Sequence, residues 1–239
     1  MTPLQLLLSY ALGLGAPCPV DALHVSGVHH EHVQRVCIEK KWEKCVAFAP
    51  LLVLVEPADT PVDVCMDRFE WPNRAGAAPT VMVRFGEAEK SCASVGKRLC
   101  SEFEWELACE GPEHLPWPYG WQRSEGMCNS DRPFRAYDEA KITSEDDPLR
   151  QREVTRLWQG APSGQFPQCV SPFGAQDMVG NVEEWVRTSR KEWPFPSSLK
   201  GGYWSKPWSG CRGTNERHGG SFRYYQVGFR CCQAVASRG

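Results

Sequence analysis

The sequence predicts a single α+β domain in which short strands and short, capped helices are strung between long irregular loops. Three observations support this. The 239 residues are long for one domain and short for two, and 41% apolar content with ten tryptophans fills one large core. From Val62 onward, stretches alternating like strands are interspersed with segments carrying helix-capping signals. Between them, residues 112–170 are rich in proline and charge and show little periodicity, as long surface loops do. The organisation read from this is a leader over residues 1–22, a Cys- and His-containing amino-terminal extension over 23–61, and the domain proper over 62–235.

VDVCMDRFEW (Val62–Trp71) alternates as a strand, and PNRAGAAP after it is turn chemistry, broken by Pro72, Asn73, Gly76 and Pro79. VMVRF (Val81–Phe85) reads as a second strand. A helix over about Glu87–Val95 stops at Gly96, the residue type that accepts a left-handed conformation at helix ends. Ser101 and Glu104 form an S-x-x-E capping box, so a second helix runs to about Cys109, turning Trp105 and Leu107 or Ala108 toward the core. Asp147 as N-cap and Pro148 as first helical residue open a third, packing Leu157 and Trp158. KGGYW (Lys200–Trp204) and VGFRCC (Val227–Cys232) read as closing strands.

Upstream, HVSGVHHEH (His24–His32) holds four of the six histidines. No convincing ligand set surrounds them, so the run reads as a solvated segment rather than a metal site. Cys37 and Cys45 flank KKWEK and close a small local loop, and Pro57–Pro61 reads as a connector. Leu4, Leu6–Leu8 and Tyr10–Leu14 are apolar but too short to cross a bilayer, and small residues at Gly15, Ala16 or Ala22 suit cleavage after export; no Lys or Arg precedes Arg35, so the positive leader region is missing. Twelve cysteines, an even number without a single C-x-x-C knuckle, favour disulfides over zinc and place the chain in a secreted or periplasmic compartment. Net charge is −2 with the basic residues scattered, which sets nucleic acid aside as a partner. No apolar run is long enough for a transmembrane helix.

GAQDMVGNVEEW (Gly174–Trp185) is the stretch with the most chemistry. Asp177 and Glu184 bracket the turn-forming Gly180 and Asn181, an oxygen-rich arrangement of the kind a hard cation such as Ca²⁺ takes, with carbonyls aimed inward and carboxylates closing the ring.

Four ordered motifs, GKRLCSEFEWELAC, DMVGNVEEW, KGGYW and VGFRC, resemble the formylglycine-generating-enzyme or sulfatase-modifying-factor family over about Val62–Cys232. The resemblance implies a mostly irregular α+β fold related to C-type lectins. It implies a calcium site made by Asp177, the carbonyls of Gly180 and Val182, and Glu184. A second calcium site would begin at Asn129 and Ser130, with Asp138 as a loose completion. It also implies disulfides Cys92–Cys231 and Cys109–Cys211, each closing a loop of about a hundred residues or more and worth roughly 4–5 kcal/mol.

One departure bears on activity. Catalytic members of that family carry a copper-binding cysteine pair between the GGY-like and C-x-x-x-R-like stretches, and the corresponding interval here, YWSKPWSG (Tyr203–Gly210), has no cysteine. Ser205, Lys206 and Ser209 are not soft ligands for copper. Iron-dependent relatives hold their metal with an H-x-x-x-H-x-E run, which His24–His32 does not supply, so neither copper nor iron has a ligand set.

Two readings follow. In the first, the protein is a calcium-stabilised binding or accessory protein whose groove, lined by Tyr203, Trp204, Ser205, Lys206, Trp208, Tyr224 and Tyr225, receives an unidentified protein or small molecule. In the second, it is an oxidoreductase with a rewired centre, using Cys232 as a thiol beside Arg230 or a metal held by His218 near Arg217.

Overall fold

The computed structural model describes residues 17–236. It contains two four-stranded sheets and four short helices. The first sheet has the order β1-β2-β8-β3, and is dominated by the antiparallel hairpin of β1 (Ala22–Lys41) and β2 (Lys44–Asp67), with β3 (Arg98–Leu99) and β8 (Cys231–Ala234) continuing it. The second has the order β6-β5-β4-β7, from β4 (Glu183–Arg187), β5 (Ser197–Lys200), β6 (Thr214–Asn215) and β7 (Val227–Phe229). The helices are α1 (Phe85–Ala93), α2 (Glu102–Glu110), α3 (Glu139–Ile142) and α4 (Asp147–Leu157). The α+β class holds, with most of the chain between Gly111 and Val182 in loops.

The α2 capping box forms in full. Ser101 Oγ accepts from the Glu104 N–H, and the Glu104 carboxylate accepts from the Ser101 N–H at 2.7 Å. Trp105, Leu107, Ala108 and Cys109 are all buried, and so are Glu102, Glu106 and Glu110. The helix is therefore enclosed on both its apolar and its acidic faces. At α4 the N-cap is Asp146 rather than Asp147, one residue earlier than the sequence suggests, with Pro148 still in the first turn.

Several local expectations are corrected. Residues 23–61, expected as an amino-terminal extension with a Pro57–Pro61 connector, instead form hairpin strands paired, with β-bulges, from Ala22↔Asp67 to Lys41↔Lys44. Pro61 is tolerated there because β2 meets β8 only over Val64–Met66, so among the described residues no strand pairs with Pro61 on the side away from β1. Cys18 is bonded to Cys65, so it belongs to the folded body rather than to a leader ending at residue 22. The apolar leader run lies outside the described residues.

Val81–Phe85 is not a strand: Met82 has φ 61° and donates its N–H to the Tyr224 carbonyl, and Phe85 already opens α1. KGGYW leaves the sheet after Lys200 because Gly201 and Gly202 both turn at positive φ (79° and 68°), and a Cβ on Gly201 would meet the Met178 carbonyl at 2.6 Å. VGFRCC divides between the two sheets, β7 in one and β8 in the other, with Arg230 at the crossing.

Candidate functional site

Two adjoining cavities open around Lys206. The larger, about 460 Å³, is walled by Phe134, Tyr137, Tyr203, Phe222, Tyr224 and Tyr225. The smaller, about 350 Å³, follows Ser205–Ser209 past Gly202 and Thr214. Glu183 and Lys206 face both, and Lys206 Nζ donates to Glu183 Oε1 at 2.6 Å. Strand alternation explains how consecutive glutamates serve different places: on β4, Glu183 turns to the groove while Glu184 turns inward.

Three loops build the larger cavity. The double-glycine turn after β5 sends Tyr203 to the wall and Trp204 beneath it, where Trp204 is buried and meets Trp158 edge-on at 5.1 Å. The loop before β7 supplies Phe222, Tyr224 and Tyr225, and the loop before α3 supplies Phe134 and Tyr137. The Tyr224 hydroxyl donates to Glu139 Oε2 at 3.0 Å. Burial, then hydrogen bonds and charge from Tyr137 and Glu139, hold the Tyr224 hydroxyl far above its usual pKa; burial and Tyr203 do the same for Tyr225. Both phenols stay protonated.

Of the residues expected in the groove, Tyr203, Lys206, Tyr224 and Tyr225 line the larger cavity, and Ser205, Lys206 and Trp208 the smaller. Trp204 is a correction: it is buried beneath Tyr203 and Tyr225 and lines neither cavity. Arg123 lies over the Trp208 ring at 5.2 Å. His218, considered for catalysis, is part of this same wall and stacks on Phe222 with ring centroids 3.7 Å apart. Burial holds its pKa below the usual value; Glu183 opposes the shift, and Lys206 and Arg217 add to it, so the ring is neutral at pH 7. Arg217 lines neither cavity. Phe134, Tyr137 and Glu139 were not foreseen; the FRAY stretch in a polar loop was a weak signal, and only long-range folding brings it to the groove.

The cysteines decide the second reading's thiol. Cys232 is bonded to Cys100 and fully buried, which removes it as a nucleophile. The structure pairs Cys92 with Cys231 and Cys109 with Cys211, and Cys37–Cys45, Cys128–Cys169 and Cys18–Cys65 complete six bridges that account for all twelve cysteines.

The Asp177–Glu184 turn surrounds a buried cation of the protein's own. Arg230 donates to both oxygens of Glu184 at 2.7 Å, and the Trp105 indole N–H donates to one of them at 2.7 Å. Asp177, at φ 59°, accepts from the Gly164 N–H at 2.7 Å. Glu70, absent from the sequence expectation, joins them by accepting from Asn181 and Ser163. Burial, offset in part by the Gly164 N–H and Arg230 and reinforced by Glu184, pushes Asp177 up to about 6. Burial, then Asp177 and Glu184, raise Glu70 well above the usual carboxylate range. Ionising all three carboxyls beside one guanidinium is therefore costly, and an added cation would lower that cost.

Among the described residues no three His, Cys, Asp or Glu side chains converge as a metal-holding group, so such a cation would draw on carbonyl oxygens as well. Asn129 buttresses the same turn: its carbonyl accepts from the Asn181 N–H at 2.8 Å, and its side-chain oxygen accepts from Arg132 at 3.0 Å. Ser130 is buried beside Gly180, and Asp138 instead caps α3. His24, His29 and His30 each pair with a different carboxylate, those of Asp63, Glu106 and Asp59. His29 is fully buried against Phe103, which corrects the solvated reading of that run.

Residues 30–235 match the family of Sulfatase-modifying factor enzyme 1-like domains. The chain belongs to that family. It is 32% identical over 119 residues to hercynine oxygenase of Mycolicibacterium smegmatis, covering 50% of this chain and 24% of that protein. It is 33% identical over 123 residues to the formylglycine-generating enzyme of Mycobacterium tuberculosis, covering 48% of this chain and 35% of that protein. The chain thus spans a minor part of the length of these relatives. Among solved structures it is similar in fold to CarF (TM-score 0.57, 12% identity, 91% of this chain and 99% of that one) and to PvdO from Pseudomonas aeruginosa (TM-score 0.50, 18% identity, 88% and 94%).

Proposed function

We propose that this protein is an exported, disulfide-bonded member of the family that uses the aromatic groove to bind a ligand and does not generate formylglycine. The observation that supports this is the cysteine chemistry: the Tyr203–Gly210 interval has no cysteine, and all twelve elsewhere are in bridges, so no thiolate pair is left to hold copper. Six disulfides are the pattern of an oxidising compartment, in keeping with secretion. The oxidoreductase reading keeps one foothold, the neutral His218 on the groove wall, and its two named relatives are enzymes. The discriminating measurement counts thiols in the denatured, unreduced protein and follows a cysteine peptide incubated with the protein, copper and oxygen. No reactive thiol and no peptide aldehyde are expected; aldehyde formation would overturn the reading.

The same proposal includes calcium at the Asp177–Glu184 turn, with the carboxylates of Asp177 and Glu184 and the carbonyls of Gly180 and Val182 as ligands. Its support is the gathering of Glu70, Asp177 and Glu184 beside the single guanidinium of Arg230, where a cation would favour their ionised forms. Bound there, the ion would balance charge and tie the turn, with no part in chemistry. Melting temperature is expected to fall when a chelator is added to the wild type and to be unchanged by it in Asp177→Ala. An equal response in both proteins removes the ion from this loop.

A further inference from the structure

We propose that a cavity beside the hairpin turn, separate from the aromatic groove, binds an organic carboxylate carried on a flat apolar group: a free aromatic acid, or the carboxyl terminus of a peptide ending in an aromatic residue. The cavity, about 250 Å³, lies where the end of the β1–β2 hairpin meets the loops at Pro116 and Gly210. Arg35, Lys44 and Arg212 supply its charge, and Phe48, Trp117 and Trp208 its apolar surface; among the described residues no aspartate or glutamate lines it. Trp208 is the partition between this cavity and the smaller one of the groove. The volume is just below the usual range of small-molecule sites, so it suits a fragment-sized acid or the last residue of a chain.

The walls are tied in place by the fold. Trp42 and Glu43 turn at positive φ (53° and 60°), the conformation a two-residue hairpin turn needs, and return the chain to Lys44. Cys37–Cys45 closes that end of the hairpin, the Phe48 N–H donates to the Trp121 carbonyl at 3.0 Å, and the Arg123 N–H donates to the Val46 carbonyl at 2.8 Å. Across the cavity, Cys109–Cys211 anchors the segment carrying Arg212, and the Cys211 N–H donates to the Pro116 carbonyl at 2.9 Å. The Trp117 indole N–H donates to the Ser209 carbonyl at 3.1 Å, and its ring packs on Phe48 with centroids 5.6 Å apart, making one apolar wall.

Positive charge is in excess at this end of the molecule. Arg35 and Arg212 converge on a single carboxylate, Glu110, the first at 3.1 Å and the second at 2.6 and 2.8 Å. The next carboxylate, Glu106, stands 3.7 Å from Arg212 and is already met by Lys200 and Arg190. Arg35 bonds through Nε and Nη2, which leaves Nη1 free among the described residues, and Lys44 is exposed at the rim. Burial lowers the pKa of Arg35; Glu110 opposes the shift, and repulsion from Arg212 adds to it. The guanidiniums stay charged, and with side chains only 10% and 17% exposed they are screened by salt less than surface charges are. A carboxylate against Arg35 Nη1 and Lys44 would offset their repulsion, while its apolar body would lie on the tryptophans.

Four probes decide it: 3-phenylpropionate, its neutral amide, and the peptide N-acetyl-Gly-Gly-Phe as free acid and as carboxyl-terminal amide. Each is titrated against the full chain by calorimetry and by the indole N–H signals of Trp117 and Trp208. An acid is expected to bind at least about tenfold more tightly than its amide, to move Trp117, and to weaken as salt is raised. Preference between the two acids tells a free small molecule from a peptide end. Lys44→Gln is expected to weaken the acid roughly two- to fivefold and leave the amide unchanged, whereas Lys40→Gln, an exposed lysine near the same turn but outside the cavity, changes neither. Both variants should melt near wild type. Equal binding of acid and amide, or equal losses in the two lysine variants, overturns the proposal. So does a response confined to Trp208, which would put the ligand in the smaller groove cavity, or no response of Trp117 to any probe.

Discussion

The three glutamates of α2 and the three carboxylates around Arg230 are buried alike, yet their surroundings are opposite. Glu102, Glu106 and Glu110 recur every four residues, so they fall on one helical face. Cations meet that face from three directions. Lys200 on β5 reaches Glu106 at 2.6 Å and Glu102 at 3.5 Å, Arg190 approaches both, and Arg212 and Arg35 reach Glu110 at 2.6 Å and 3.1 Å. Burial alone would raise Glu106, but Lys200, the His29 hydrogen bond, Arg212 and Arg190 together hold it far below the usual carboxylate range. Glu110 is also lowered, by His114 and Arg212, against its burial. Glu102, further from its cations and beside Glu106, is raised by burial. Around Arg230 the count reverses, and Asp177 and Glu70 are driven up. Burial is common to both clusters, so what separates them is the number of cations supplied. The α2 stripe is complete in itself and joins the hairpin, the helix and β5, whereas the Arg230 cluster is short of positive charge.

Removing a cation should be most damaging where the match is closest. Lys200→Met leaves Glu102 and Glu106 buried with fewer partners, and is expected to lower unfolding free energy by about 3–5 kcal/mol, as losing one side of a buried pair does. Denaturant unfolding with disulfides intact measures it. A change below about 1 kcal/mol would mean that Arg190 and Arg212 carry the stripe without Lys200.

Next in size is the response to acid. Because the folded-state pKa of Glu106 is depressed, its contribution is complete above the unfolded carboxylate pKa of about 4.3 and is lost as pH falls through the folded value. Stability of the wild type should therefore fall steadily below about pH 4. Glu106→Gln should start lower at neutral pH and show a shallower acid slope. Parallel slopes would assign the acid sensitivity to other carboxylates.

The two clusters also differ in how much of them could be read from sequence. The α2 helix was legible because its capping box is local: Ser101 and Glu104 lie within one turn. That the opposite face is also buried was not, since it depends on Lys200, Arg190 and Arg212 arriving from far along the chain. The hairpin was missed for the same reason; its register joins residues up to 45 apart (Ala22↔Asp67), and the histidines and prolines along it carry no period of their own. In the acidic loop, Asp177 and Glu184 stand out by type and spacing, while in sequence Arg230 is only a neighbour of cysteines and Glu70 only part of an alternating stretch. In the groove, Tyr203, Tyr224 and Tyr225 were visible as aromatics beside family motifs. Trp204 looks identical in sequence, and only the Gly201–Gly202 turn puts it in the core and Tyr203 on the wall.

The smallest effect has the opposite sign. Glu70→Gln keeps the size of the side chain and can still meet Asn181 and Ser163, but removes a carboxyl whose ionisation beside Asp177 and Glu184 is disfavoured. With a chelator present it is expected to leave stability unchanged or to raise it by up to about 1 kcal/mol, because the cost of any ionisation of this buried carboxyl beside two others is removed. With calcium added, the wild type should gain more than the variant, since the variant has less charge to offer the ion. Destabilisation comparable to that of Lys200→Met would show that Glu70 is as fully compensated as Glu106, and the contrast between the two clusters would then vanish.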